Sequence, residues 1–244
     1  MTKTKKATLL LFGLIICLSM IRLGYWQLGR AVEKQQILDQ VQQRAQIDSV
    51  PLSDLVFSAN EADFEEYVYR QVMNTGTYLV DKSIFIDNQV KDSKVGYRLL
   101  TPMTLPGKEW HVLVDRGWIG VGESRAVLPQ FTTAPGEVTL GGRLQRPAAK
   151  PPLWNDEYPV SKDQVWQFLP IDEYAGQMQL KLMPLVLELA PDDESEIEAS
   201  LQREWARIDD QWVAKHRGYA FQWFAMAAAF FVACMILFIR SRRA

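Results

Sequence analysis

Cysteine, histidine and catalytic signatures are all scarce in this 244-residue chain, and the places where they are missing narrow what it does. The two cysteines, Cys17 and Cys234, both sit in long uncharged stretches near the ends. The segment between those stretches therefore has no disulfide, no thiol nucleophile and no thiolate metal ligand. Of the two histidines, His111 alternates with Val112 and Val114 in a strand-like run. It has no paired Ser or Cys and no third orienting group, so it reads as structural rather than as a base. There is no Gly-x-Ser-x-Gly elbow, no phosphate-binding Walker loop and no His-Glu-x-x-His pair. In Gly117-Trp-Ile-Gly-Val-Gly122, the pair Gly120-Val-Gly122 is followed by neither the third glycine at the right spacing nor the helix of a dinucleotide fingerprint, and the segment is expected to be a turn after a strand. Met73, Met103, Met178 and Met183 are scattered and form no soft-ligand cluster for Cu(I). The inventory suits a protein that is not an enzyme.

Charge is missing from two runs, Ala7 to Ile21 and Gly218 to Ile239. A spanning helix needs about 20 apolar residues. The second run meets that alone; the first reaches it when Leu23, Gly24, Tyr25, Trp26 and Leu28 extend it and Arg22 snorkels to the headgroups. A cleaved signal peptide has the same order of basic start and apolar core, but no small-x-small site follows this one. Acidic residues are absent outside the runs, where Lys3, Lys5, Lys6, Arg240, Arg242 and Arg243 lie. Setting those six aside from the 27 basic residues leaves 21 against 29 acidic, a net charge of about −8 for the middle, which excludes nucleic acid as a partner. Basic flanks stay in the cytoplasm. The expected layout is a cytoplasmic tail (1–6), a first transmembrane helix (7–28), an exported domain (29–217), a second transmembrane helix (218–239) and a second cytoplasmic tail (240–244). No Arg- and Ser-rich transit peptide precedes the first run, so the membrane is expected to be a bacterial inner membrane and the middle periplasmic.

The middle begins with Ala31 to Ala45, whose helix-forming residues predict a helix leaving the membrane. Short β-branched and aromatic segments follow at 67–73, 83–86, 98–105, 111–119, 137–144, 165–169 and 182–189, punctuated by Gly, Pro, Asn and Asp. They predict a mainly antiparallel sheet, with a short helix at Pro170 to Met178. Arg146 to Pro152 reads as a proline-rich surface loop. The fold class is a membrane α+β protein: one exported β domain with short helices, flanked by two transmembrane helices.

The entry to the second run, Lys215-His-Arg-Gly-Tyr-Ala-Phe-Gln-Trp-Phe224, carries the most chemistry. In a helix, His216, Tyr219 and Trp223 share one face, with Trp212 a turn earlier. Imidazole is a usual haem ligand, aromatic walls suit a flat macrocycle, and Arg217 or Lys215 can pair with propionates. Aromatic and amphipathic residues also collect at any bilayer interface, and that simpler reading stays open. Ala225, Ala229 and Ala233 form a small-residue stripe, matched by Gly13 and Cys17, which predicts close packing of the two helices and brings Tyr25 and Trp26 toward Tyr219 and Trp223.

Four blocks in order resemble the SURF1 family of cytochrome c oxidase assembly factors. They are Leu23-Gly-Tyr-Trp-Gln-Leu-Gly-Arg30, Gly96-Tyr-Arg-Leu-Leu-Thr-Pro102, Val112-Leu-Val-Asp-Arg-Gly-Trp118 and Lys215 to Phe224. One departure is Asp115, where the family more often has Asn; no functional consequence is expected. The acidic stretch Asp192 to Glu198 reads as a solvated insertion. The resemblance implies maturation of the haem a-containing oxidase subunit, with haem a as a transient cofactor and the oxidase catalytic subunit and haem a synthase as partners. It lends His216 and Tyr219 a haem association, while Trp26 and Arg30 match its first block, where a structural role is equally open; with Trp223 and Arg217 from the helix face, the expected haem-binding set is His216, Tyr219, Trp223, Arg217 and Trp26, with His216 on the iron. The alternatives are a scaffold that never holds haem and, in a different class, a periplasmic ligand sensor.

Overall fold

The computed structural model describes residues 3–55, 64–122, 124–148, 150–151, 160–193, 198–205 and 210–243. It divides into two compact units, one of residues 1–42 and 207–244, the other of residues 43–206.

The first unit is a pair of helices, α1 (Lys3–Ala45) and α3 (Asp210–Arg243). α1 runs unbroken through 43 residues, about 64 Å at 1.5 Å per residue, so the apolar run and the predicted helix after it are one element. Nothing in the sequence between them breaks a helix: no proline occurs before Pro51, and Gln, Glu, Lys, Arg, Leu and Ala make up most of residues 31–45. Both helices are long and apolar enough to cross a membrane. Side chains withdrawn from solvent recur on α1 at Gly13, Cys17, Met20, Gly24, Gln27, Ala31, Lys34 and Leu38, and on α3 at Val213, His216, Ala220, Trp223, Ala227, Phe230 and Cys234. These alternating three- and four-residue steps are a heptad seam, the pattern of two helices packed nearly side by side.

Among the described residues the second unit has nine strands: β1 (Val50–Pro51), β2 (Gln71–Tyr78), β3 (Ile84–Lys91), β4 (Lys94–Thr104), β5 (His111–Gly120), β6 (Glu137–Gln145), β7 (Ser161–Lys162), β8 (Val165–Trp166) and β9 (Leu182–Leu189). Their order is β1-β2-β6-β9-β5-β4-β3-β8-β7, and a further β2–β4 pairing closes five of them into a barrel. Most pairings are antiparallel; β1–β2, β3–β8 and β5–β9 are parallel. Strand β4 makes closure possible, because its first half pairs with β3 and its end, Met103 and Thr104, pairs with Tyr78 and Thr77 of β2. Gly76 faces the barrel interior at that crossing. A Cβ there would overlap the Thr104 carbonyl and sit 2.9 Å from Met103 Cγ, so only glycine lets the two strands meet.

Alternation along each strand sorts the faces. Val72, Tyr78, Met103, Val112, Val114, Leu140, Leu144, Leu185 and Leu187 fill the barrel. Ile84, Leu100, Leu113, Trp166 and Val186 point outward and are covered by α2 (Ile171–Met178), whose Tyr174 meets Trp166 edge to face at 5.6 Å and donates to the Lys82 carbonyl at 2.6 Å. The β2 strand begins four residues later than the 67–73 segment suggested. Residues 65–69 form a turn with Tyr69 in the left-handed region at φ 69°, a tertiary constraint that β propensity does not register. Gly117 to Gly120 belong to β5, so the expected turn starts only at Val121 and Gly122. Ala149 and Pro152 of the proline-rich patch, and Met1, Thr2 and Ala244 of the tails, lie outside the described residues.

Candidate functional site

His216 occupies a seam position of α3, three residues after Val213 and four before Ala220. Opposite it on α1 stands Gln27, three residues after Gly24 and four before Ala31. The two meet across the seam, His216 Nδ1 lying 2.7 Å from Gln27 Oε1. An amide oxygen only accepts, so the imidazole donates from Nδ1. Among the described residues Nε2 has no hydrogen-bond partner. The small residues flanking the pair set its span: a Cβ on Gly24 would come within 2.6 Å of the Phe224 ring, and Ala31 and Ala220 are almost fully buried. Close backbone approach at such residues is how helices pack where apolar burial offers little drive.

The remaining predicted site residues spread around this pair. Trp223 is half-buried, one turn beyond Ala220. Tyr219 is 41% exposed and flanks the seam, while Arg217 and Trp26 point outward, the latter 57% exposed. Tyr25 packs edge to face on Phe224 at 5.3 Å rather than on Tyr219 or Trp223. Trp212, one turn before His216, lies beneath the seam residue Lys34, whose Nζ is 5.2 Å from the ring centroid. The expected Ala225–Ala229–Ala233 stripe is overturned: all three are exposed, and the contact runs through Ala220, Ala227, Phe230 and Cys234. The seven-residue seam rotates that stripe away from α1. Gly13 and Cys17 do lie in the seam: a Cβ on Gly13 would be 3.4 Å from Cys234 Sγ, and Cys17 Sγ approaches the Ala227 carbonyl at 3.6 Å.

A second constellation, on the outer face of the barrel, escaped the sequence reading. Arg98 of β4, Asp115 of β5, Glu188 of β9 and Arg143 of β6 stand side by side on adjacent strands, with Asp115 opposite Glu188 and Glu188 opposite Arg143. Arg98 pairs with Asp115 and reaches Glu188 at 3.6 Å; Arg143 and Gln145 donate to Glu188 at 2.9 Å. Trp205 covers the Arg98 guanidinium at 4.4 Å. Burial pushes the Asp115 carboxyl up to about 6, with Glu188 adding repulsion, against the opposing pull of Arg98 and the Gly117 N–H. Asp115 thus stands at the centre of a buried charge network, and the expectation that it has no consequence applied to no visible contact. The neighbouring Arg116 points inward, is fully buried, stacks over Tyr78 and Phe131, and donates to Thr133 Oγ1 and the Thr132 carbonyl at 2.7 Å. These residues serve the fold. Only the sequential clustering of Asp115, Arg116 and Gly117 in one block signalled them, and their partners lie on three other strands and in the 131–133 loop.

The acidic stretch is also tied down at its described ends: Asp193 accepts the Gly141 N–H, and Glu198 accepts the Thr132 N–H and the Ser200 hydroxyl. Residues 194–197 lie outside the described residues. No three His, Cys, Asp or Glu side chains gather around a metal-sized space among the described residues.

The comparisons with known proteins converge. A "SURF1-like protein" of Rickettsia bellii is 26% identical over 235 residues, 94% of this chain and 88% of its own length. Its counterpart in Rickettsia felis is 25% identical over 240 residues, covering 96% of both chains. "Cytochrome oxidase assembly protein SHY1" of Saccharomyces cerevisiae is 29% identical over 112 residues, 45% of this chain and 28% of its own. The profile of the SURF1 family matches residues 14–228, from the first apolar helix through the His216 segment, and the chain belongs to that family.

Proposed function

We infer that this protein assists assembly of a haem a-containing cytochrome oxidase, acting from a bacterial inner membrane, and holds haem a transiently at the helix pair. Family membership over 14–228 carries the assembly reading, together with the name of the yeast relative. The membrane reading is supported by what the helix pair leaves uncovered: Leu11, Phe12, Leu18, Phe221, Phe231 and Leu237 are all more than half exposed. A water-facing surface rarely carries so continuous an apolar patch. With basic residues at both outer flanks, the tails lie in the cytoplasm and the barrel in the periplasm.

The haem reading is supported by the donor chemistry at His216. A histidine ligand binds through one nitrogen while the other donates to an acceptor, and His216 has Nδ1 engaged and, among the described residues, Nε2 without a partner. Tyr219 and Trp223, one exposed and one half-buried, offer aromatic surface beside it, and Arg217 offers a cation for a propionate. The group supplies its own redox and ligand chemistry; the chain's task is to bind, orient and hand over, which requires no nucleophile or base. The partners in that task are the oxidase catalytic subunit and haem a synthase.

Deleting the gene tests the assembly role: the haem a absorbance of the terminal oxidase should fall and its catalytic subunit should fail to accumulate. Protein purified from cells that make haem a should carry a Soret band. A scaffold without haem is favoured by the outward aromatic residues Trp26 and Tyr219, which also suit a bilayer interface. It predicts the same oxidase defect and no Soret band.

A further inference from the structure

We propose that Gln27 is the positioning residue of the His216 site: its side-chain carbonyl holds the imidazole as the Nδ1–H tautomer and presents Nε2 as the nitrogen that takes a metalloporphyrin. This rests on the reading of His216 as an axial ligand.

Neutral imidazole has two tautomers of similar energy, and the hydrogen bond made by one nitrogen decides which other nitrogen keeps its lone pair. Here that bond spans two helices at 2.7 Å. Both partners sit at half-buried seam positions, so turning either to solvent breaks the contact across the seam, and their partial withdrawal from water strengthens the bond. Gly24 and Ala31 on α1 and Ala220 on α3, each almost fully buried, hold the backbones at the distance the bond needs.

An amide acceptor differs from a carboxylate in a way that suits a carrier. A carboxylate beside the ring would hold it as imidazolium when the site is empty, and a proton on Nε2 competes with the metal. It would also raise the donor strength of Nε2 and slow release. Neutral Gln27 aims the nitrogen without either effect. The ligand class is a metalloporphyrin with an open axial position, arriving from the apolar phase along the exposed side of α3.

The test uses the full-length protein in nanodiscs, with haemin as the probe. In the ligand-free protein, ¹⁵N shifts of His216 should show a protonated Nδ1 and an unprotonated Nε2. Gln27→Leu should mix the tautomers and weaken haemin binding by roughly 10- to 100-fold, the usual cost of losing a histidine's supporting acceptor. Gln27→Glu should keep the tautomer, raise the imidazole pKa and lower the reduction potential of the bound haem. Gln27→Glu also guards against a Gln27→Leu protein that does not fold. If His216→Ala abolishes haemin binding while both Gln27 variants match wild type in tautomer, affinity and potential, the positioning role is wrong and the ligand assignment survives. If His216→Ala leaves haemin binding intact, the ligand assignment fails, and with it the proposal, whatever the tautomer.

Discussion

Asp115 shows how much a single residue can hide. Its strand neighbours Val112, Val114 and Ile119 read as ordinary core, yet its carboxyl is boxed in by Arg98, Glu188 and the Gly117 N–H on a sheet face sealed by Trp205. Its pKa near 6 in the fold, against 3.8 ordinarily, sets the sign of a pH effect. Between those values the folded state binds more protons than the unfolded one, so this contribution to stability is full below about 4 and is lost as pH rises through about 6. Glu198 works in the opposite direction: its carboxyl is held down to about 2 by the Ser200 hydroxyl and the Thr132 N–H, so its contribution is present above about 4.5 and lost in strong acid. Replacing Asp115 with Asn keeps the acceptor for Gly117 and leaves Arg98 to Glu188. Urea midpoints measured from pH 4 to pH 7 should show the Asp115→Asn protein no less stable at pH 7. They should also show it without the wild-type slope, a difference on the order of 2 kcal/mol across the range. A parallel pH dependence in both proteins would mean that Asp115 is ionised throughout.

At the scale of elements, two close approaches carry the architecture. The barrel closes where β2 crosses β4, and Gly76 is the residue that allows it. Gly76→Ala should cost roughly 3 kcal/mol, because backbone rather than a flexible side chain must move. Thermal melts of the purified protein read this directly, and an unchanged midpoint would place the closure elsewhere. The helix pair depends on Ala227, 5% exposed, and not on Ala229. Ala227→Leu should separate the helices and cost ~1 to 2 kcal/mol, whereas Ala229→Leu should change nothing, since its added methyls face outward. Detergent stability of the two variants distinguishes the seam from the stripe. Equal losses would put both alanines in contact.

For the whole molecule, the proposed topology puts both tails on one side of the membrane. A periplasm-active reporter fused after Ala244 should be silent, and one inserted at exposed Val127 should be active. Activity of the terminal fusion would invert or break the hairpin arrangement. Composition and periodicity alone determined the two apolar terminal helices, the sheet-rich middle and the location of its six long strands and the short β8, because burial imposes a period that each segment carries within itself. They also singled out His216, since a lone imidazole next to an aromatic, uncharged run stands out without a partner. Only the tertiary structure decided that β2 and β4 close a barrel, that Gln27 faces His216 from 189 residues away, and that the alanine stripe turns outward. Each of those depends on which strands are neighbours or on how two helices are rotated about their axes. Rotation and adjacency are set by the sum of many small contacts between distant segments, and no local pattern encodes them.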